Sequence, residues 1–215
     1  MNSPDTSLDI IHEDPEFVVV NKKSGMLSVP GRGPDKMDSV THRVRLRYPH
    51  CIAQPAVHRL DMDTSGLMVV AIDAEAHRRL SRQFEQRETH KQYVALLDGI
   101  LEGDEGTLEL PFRLDIDNRP IQIYDEIHGK IGITHWKKLS IESGLTRVLF
   151  TPITGRTHQL RVHSAHPKGL GIPIVGDPFY GTGVGPGNLK LHATRLGFRH
   201  PRTDEELQFE SAPGF

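Results

Sequence analysis

Apolar and polar positions fall in short blocks along this chain, and the spacing within the blocks changes near its middle. Residues 8–11 and 17–21 are β-branched or apolar runs broken by Asp and Pro, which predicts two strands opening a sheet. Met37, Val40, Val44 and Tyr48 then recur at three- and four-residue steps, with Asp35 or Asp38 as cap, the spacing of one amphipathic helix that ends before Pro49. The other face of that helix carries Arg43, Arg45 and Arg47. Residues 67–72 form a continuous apolar run ending at Asp73, which can cap a second helix over 74–87. Ala76, Leu80 and Phe84 face inward on it; Arg78, Arg79 and Arg82 face outward.

From Gln92 onward the pattern predicts strands at 93–97, 107–110, 121–124, 134–140 and 146–151, set between Gly, Asp and Asn turns. Residues 157–165 read as a short helix through Leu160 and Val162, and 191–198 and 206–209 as late strands. Residues 181–187 (Gly-Thr-Gly-Val-Gly-Pro-Gly) are too rich in glycine for either and read as a mobile loop. The sum is an α+β chain built on a mixed, mainly antiparallel sheet, with no internal repeat.

Composition narrows this picture. A length of 215 residues fits one catalytic unit over 1–215, and no leading accessory domain is expected ahead of the first strands. Lys and Arg total 26 against 28 Asp and Glu, a formal charge of −2, so any contact with a polyanion must be local. Cys51 is the only cysteine, which excludes an internal disulfide and a Cys-built zinc site and fits a reducing compartment. Residues 1–16 show no leader pattern, and no later stretch has the apolar length of a membrane span. The expectation is a cytoplasmic protein without a membrane partner.

Two segments carry candidate chemistry. Residues 58–66, His-Arg-Leu-Asp-Met-Asp-Thr-Ser-Gly, pack charge, hydroxyl and glycine immediately before a core strand. Such a loop is either a site or an ordinary Asx- or Ser-stabilised turn. Asp61 and Asp63 suggest an acid/base pair, but Asp63-Thr64-Ser65-Gly66 is a natural turn former, which leaves Asp61 as the one functional carboxylate. Residues 155–163, Gly-Arg-Thr-His-Gln-Leu-Arg-Val-His, bring two arginines and two histidines behind the hydroxyl of Thr157, and Arg supplies the fixed cation a buried carboxylate needs. His158, His163, His166 and His192 match no zinc spacing, so no metal is expected. Ser65 lacks a nucleophile-elbow frame, and glycines 181, 183 and 185 lack the strand and helix of a dinucleotide loop.

Residues 58–66 resemble, over their whole length, the signature loop of the RluA-family pseudouridine synthases, His-Arg-Leu-Asp-x-x-Thr-Ser-Gly. The resemblance extends to Val18-Val19-Val20-Asn21-Lys22, Lys91-Gln92-Tyr93, Asn118-Arg119-Pro120, residues 152–163, Pro173-Ile174-Val175-Gly176-Asp177 with Phe179-Tyr180, and Leu191-His192-Ala193. It implies a pseudouridine synthase catalytic domain with an active-site cleft across its sheet. By position, it implies that Asp61 is the essential aspartate, that Arg161 pairs with it, that Tyr93 stacks on the target uracil, that Arg59 enters the RNA as the base leaves, and that Leu191 belongs to the substrate-binding set. It further implies a cofactor-free isomerase acting as a monomer on RNA and not DNA. The short branch of the family acts on large-subunit ribosomal RNA and on transfer-RNA anticodon loops. Departures fall outside these residues: Lys23 stands where the family commonly has Pro, and Ile121 where a basic residue often follows Arg-Pro.

The chemistry supports such roles. A uridine whose base must detach, turn and rejoin through carbon has to leave its stack, at a cost of a few kcal/mol. Stacking on Tyr93 would return roughly 1–3 kcal/mol, and Asp61 would serve either as nucleophile at the sugar carbon or as base toward a ribose proton. Two other functions are open to the same residues: a non-catalytic RNA-binding module on this fold, and a glycoside hydrolase using Asp61 with Asp63.

Overall fold

The computed structural model describes residues 7–215; residues 1–6 of the polar N-terminal stretch lie outside it. In chain order the elements are β1 (Ile10–Glu13), β2 (Phe17–Lys22), α1 (Val40–Arg47), β3 (Ser65–Ala71), α2 (Ala74–Gln86), β4 (His90–Leu97), β5 (Glu105–Leu114), β6 (Gln122–Tyr124), β7 (Lys130–Glu142), β8 (Leu145–Pro152), α3 (Gln159–Ala165), β9 (Leu191–Arg199) and β10 (Glu206–Glu210). Strands dominate, as the α+β reading expects. Contacts group the chain into two compact units, Met1–Lys91 with Ala193–Ala212, and Gln92–His192 with Pro213–Phe215. Among the described residues no helix is long and apolar enough to cross a membrane.

In the first unit the strands run in the order β1-β2-β3-β9-β10, with β1–β2, β2–β3 and β9–β10 antiparallel. β2 and β3 are buried on both faces, which is why they read as unbroken apolar runs. One face packs Phe17, Val19, Leu67, Val69, Leu196 and Phe198 against Ala76 and Leu80 of α2. Each fully buried side chain of this kind contributes about 1.5–3 kcal/mol. Asp73 caps α2 as expected, accepting from the amides of Glu75 and Ala76, and Arg87 ends it at φ 62°. The cap of α1 is Ser39, whose hydroxyl accepts from His42 N–H, and not Asp35 or Asp38. Asp38 instead takes both prongs of Arg43 at 2.7 Å, and Arg43 also donates to the Ser7 carbonyl. Arg43 is therefore buried rather than on the solvent face that helical spacing gave it.

In the second unit the order is β4-β8-β7-β5-β6, every neighbour antiparallel. Its core gathers Ala95, Leu97, Val148, Phe150, Leu160, Ile174 and Leu191. Cross-strand register places Tyr93 beside Phe150 and Phe150 beside Trp136, an aromatic row across β4, β8 and β7. Gly106, opposite Trp136, leaves room for the indole: a Cβ there would lie 3.0 Å from its nitrogen. In the 181–187 loop Gly183 is also used for close approach, since a Cβ there would sit 2.3 Å from the backbone of Gly176, whereas Gly185 and Gly187 face open space.

Candidate active site

In the first unit, residues 58–66 lead into β3 by way of Gly66, which is obligatory twice over. Its φ is +109°, and a Cβ would come within 2.5 Å of the Ala193 backbone. The loop around Asp61 is then pinned at almost every peptide. Ser28 Oγ donates to the Leu60 carbonyl at 2.6 Å and accepts from the Leu60 amide at 3.0 Å. Gly25 N–H donates to the Met62 carbonyl at 3.0 Å, Ser24 Oγ donates to the Asp63 carbonyl, and Thr64 N–H to the Asp61 carbonyl at 3.2 Å. His58 Nε2 accepts from Val69 N–H at 3.1 Å while its ring stacks on Phe84 at 4.3 Å and 13°. Burial, aided by the charge of Lys91, pushes the His58 imidazole down to about 3, so the accepting nitrogen stays unprotonated at neutral pH.

Beneath this loop lies Lys22, 2% exposed. Its ammonium donates to the carbonyls of Met26 at 2.7 Å, Met62 at 2.8 Å and Lys23 at 3.1 Å, one bond for each proton. Burial lowers it to about 7 against the opposing pull of Asp61 and Asp63. Sequence reasoning gave Lys22 no role. The available signal was a lysine at the end of an apolar strand in the Asn-Lys run of the resemblance. Asp61 itself is half-buried, Arg59 is exposed, and Asp63 is buried in the turn, as the turn reading expects.

The second unit holds Tyr93, Arg161 and Leu191. Arg161, 1% exposed on α3, grips Asp177 with a fork of two bonds, Nε to Oδ2 at 2.8 Å and Nη2 to Oδ1 at 2.7 Å. Asp177 Oδ1 also accepts from the amides of Phe179 and Tyr180, and the guanidinium lies 5.0 and 5.4 Å from those two rings. Asp177 was not singled out as a partner of Arg161; sixteen residues of sequence separate them, and only the fold joins them. The Thr157 hydroxyl does not cap α3, whose N-cap is His158 at φ 55°. The helix is instead tied down by buried Gln159, which donates to Ile133 O and Thr134 Oγ1 and accepts from Thr154 Oγ1 and Arg156 N–H. Half-buried Tyr93 packs against the cluster that contains Leu160 and Leu191.

Three of the four histidines considered as metal ligands have settings of their own. His158 Nδ1 bonds to Tyr180 OH at 2.8 Å, His166 stacks on Tyr124, and His163 is fully buried with neither ring nitrogen partnered. Among the described residues, the cluster of three ligand-type side chains within 4.8 Å of one another is Asp14, Glu16 and His200, where Arg202 already occupies Glu16.

The model of the RNA pseudouridylate synthase family matches residues 16–166, the span from the start of β2 to the end of α3. The dual-specificity RNA pseudouridine synthase RluA of Pasteurella multocida (strain Pm70) is 48% identical over 98% of this chain and 95% of its own. This chain belongs to the RluA family of RNA pseudouridine synthases. The RluA of Escherichia coli (strain K12) is 43% identical over 97% of the chain and 94% of its own. Among solved structures, human RNA pseudouridylate synthase domain containing 1 superposes with a TM-score of 0.77 at 29% identity, covering 100% of this chain and 87% of that one. As a member of this RluA family the protein is an isomerase that converts uridine to pseudouridine in RNA. The reaction breaks the N1–C1′ bond and forms C5–C1′, with the C5 hydrogen lost as a proton and N1 gaining one.

Proposed function

We propose that this chain acts as one catalytic unit, as a monomer in the cytoplasm, on both a ribosomal-RNA and a transfer-RNA hairpin. In this reading Asp61 acts at the sugar carbon or on a ribose proton as the N1–C1′ bond breaks. Tyr93 stacks on the displaced uracil, Leu191 adds apolar surface for the base, and Arg161 is the cation paired with the Asp61 carboxylate. Arg59 fills the place the base has left. Support comes from the resemblance of the motifs that carry these positions, residues 58–66, Lys91-Gln92-Tyr93, 152–163 and Leu191-His192-Ala193, to those of the RluA family and from relatives whose names carry dual specificity.

The observation that carries the role of Asp61 is the bracing of its loop. Lys22, Ser24, Gly25 and Ser28 hold the backbone of residues 60, 62 and 63. A carboxylate on a fixed backbone is oriented before substrate arrives, which is how positioning lowers a reaction barrier. The test is to map pseudouridine in ribosomal and transfer RNA exposed to wild type and to Asp61→Asn. The substitution is expected to lower turnover by about a thousandfold or more, read as tritium released from C5-labelled uridine, while RNA affinity changes less than threefold. Turnover near wild type in Asp61→Asn would remove Asp61 from the chemistry; modification of only one RNA class would remove the dual target.

A further inference from the structure

Phe179 leaves 40% of its surface in solvent, although it sits two residues from fully buried Asp177. It is nevertheless held. Its N–H donates to Asp177 Oδ1 at 2.9 Å, its ring stacks on the His158 imidazole at 5.6 Å and 20°, and the Arg161 guanidinium carbon lies 5.0 Å from its centroid. The backing groups are themselves fixed. His158 is 6% exposed and bonds to the Tyr180 hydroxyl, which in turn accepts from Gln122 N–H at 2.7 Å. An apolar ring is thus presented to water with its orientation already set, so a ligand that stacks on it loses little extra side-chain freedom on binding. A phenyl ring has no hydrogen-bonding group with which to read an edge; what it offers is a π face, and every nucleobase has one. Tyr93 packs in a different cluster, with Leu160 and Leu191, and its proposed role already takes the target uracil.

We infer that Phe179 is a stacking platform for an unpaired base of the substrate RNA other than the uridine being isomerised. The inference rests on the proposed function, in which the substrate is an RNA hairpin. The rival explanation is that the ring only shields the Arg161–Asp177 pair from water, a task that needs apolar bulk and no π face. The two separate in Phe179→Leu, which keeps bulk and loses the face, and in Phe179→Tyr, which keeps both.

The experiment uses a hairpin substrate carrying 2-aminopurine at one loop position at a time around the target uridine. Wild type is expected to quench the fluorescence at one position. Phe179→Leu should lose that quench and raise KM by about five- to a hundredfold with kcat within a few-fold of wild type, and Phe179→Tyr should recover most of both losses. If Phe179→Leu melts early, Phe179→Met, equally without a π face, replaces it in the same comparison. Turnover by wild type with no quench that depends on Phe179, or a Tyr variant as impaired as the Leu variant, overturns the inference alone. A wild-type chain that neither binds nor modifies any RNA overturns the proposed function and this inference with it.

Discussion

Arg161 shows at the scale of one residue how a partner can lie outside what a segment of sequence displays. An arginine in a polar segment reads as a cation for a carboxylate, and within its own unit Arg161 holds Asp177, both side chains almost completely out of water. Removing one partner of such a pair strands the other charge. Arg161→Met is therefore expected to lower folding stability by about 3–5 kcal/mol, read from the shift of the urea midpoint at constant m; a variant as stable as wild type would show that Asp177 finds another cation. His163 is the opposite case. Its two ring nitrogens are buried without hydrogen-bond partners, the ring edge-on to Phe112 at 5.8 Å, and burial pushes it down to about 4 from its ordinary 6.5. Because its pKa is depressed in the folded state, the unfolded chain takes up the proton first as pH falls. Stability is full above about pH 6.5 and is lost down to about pH 4, by roughly 3 kcal/mol at about 1.4 kcal/mol for each tenfold in proton affinity. His163→Leu is expected to match or exceed wild-type stability at pH 7.5 and to flatten this acid slope in thermal melts; a loss of stability at pH 7.5 would mean the imidazole has a partner after all.

At the scale of elements, the sequence located most strands and both long helices because each has a local signal: apolar runs bounded by Gly, Pro or Asp, and the cap at Asp73. It misplaced what depends on a distant partner. Helical spacing put Arg43 on the polar face, yet Asp38 and Ser7 bury it, and no periodicity reports that. Lys22 was equally opaque, since a lysine closing a strand normally faces solvent and here is enclosed by carbonyls of its own neighbours and of Met62. The signature loop was recognisable from its residues, but its rigidity comes from the segment 22–28, some forty residues earlier in the chain. Ser28 is the simplest probe of that bracing, because one hydroxyl serves both the N–H and the C=O of Leu60. Ser28→Ala leaves two buried backbone groups unmatched, at about 1–3 kcal/mol each. It is expected to lower kcat at least tenfold with KM within threefold, since the loop loses alignment more than RNA contact. An unchanged kcat, with stability reduced as expected, would show that Asp61 does not depend on the brace.

At the scale of the whole molecule the formal charge of −2 gives no general attraction for RNA, so binding is expected to depend on a focused surface, for which the arginines of α1 and α2 are candidates. Of the six on α1 and α2, Arg43 is buried on Asp38, Arg47 is held by Glu13, and Arg78 and Arg79 share Glu75. Arginines already paired exchange one anion for another and release fewer counterions from RNA than free ones do. Six contacts to single-stranded phosphates would give a slope of log affinity against log salt near −4, at about −0.7 each. The slope here is expected to be shallower, and affinity to come in larger part from stacking and from the uridine leaving its loop, which needs less unpairing than a duplex does. An isolated anticodon stem-loop or a short ribosomal hairpin should then be modified with a kcat/KM within a few-fold of the full-length RNA. Titration of both hairpins from 50 to 300 mM salt tests the two expectations together. A slope steeper than −4 would reveal a cationic surface beyond these helices, and modification restricted to long ribosomal RNA would mean that recognition extends past a single hairpin.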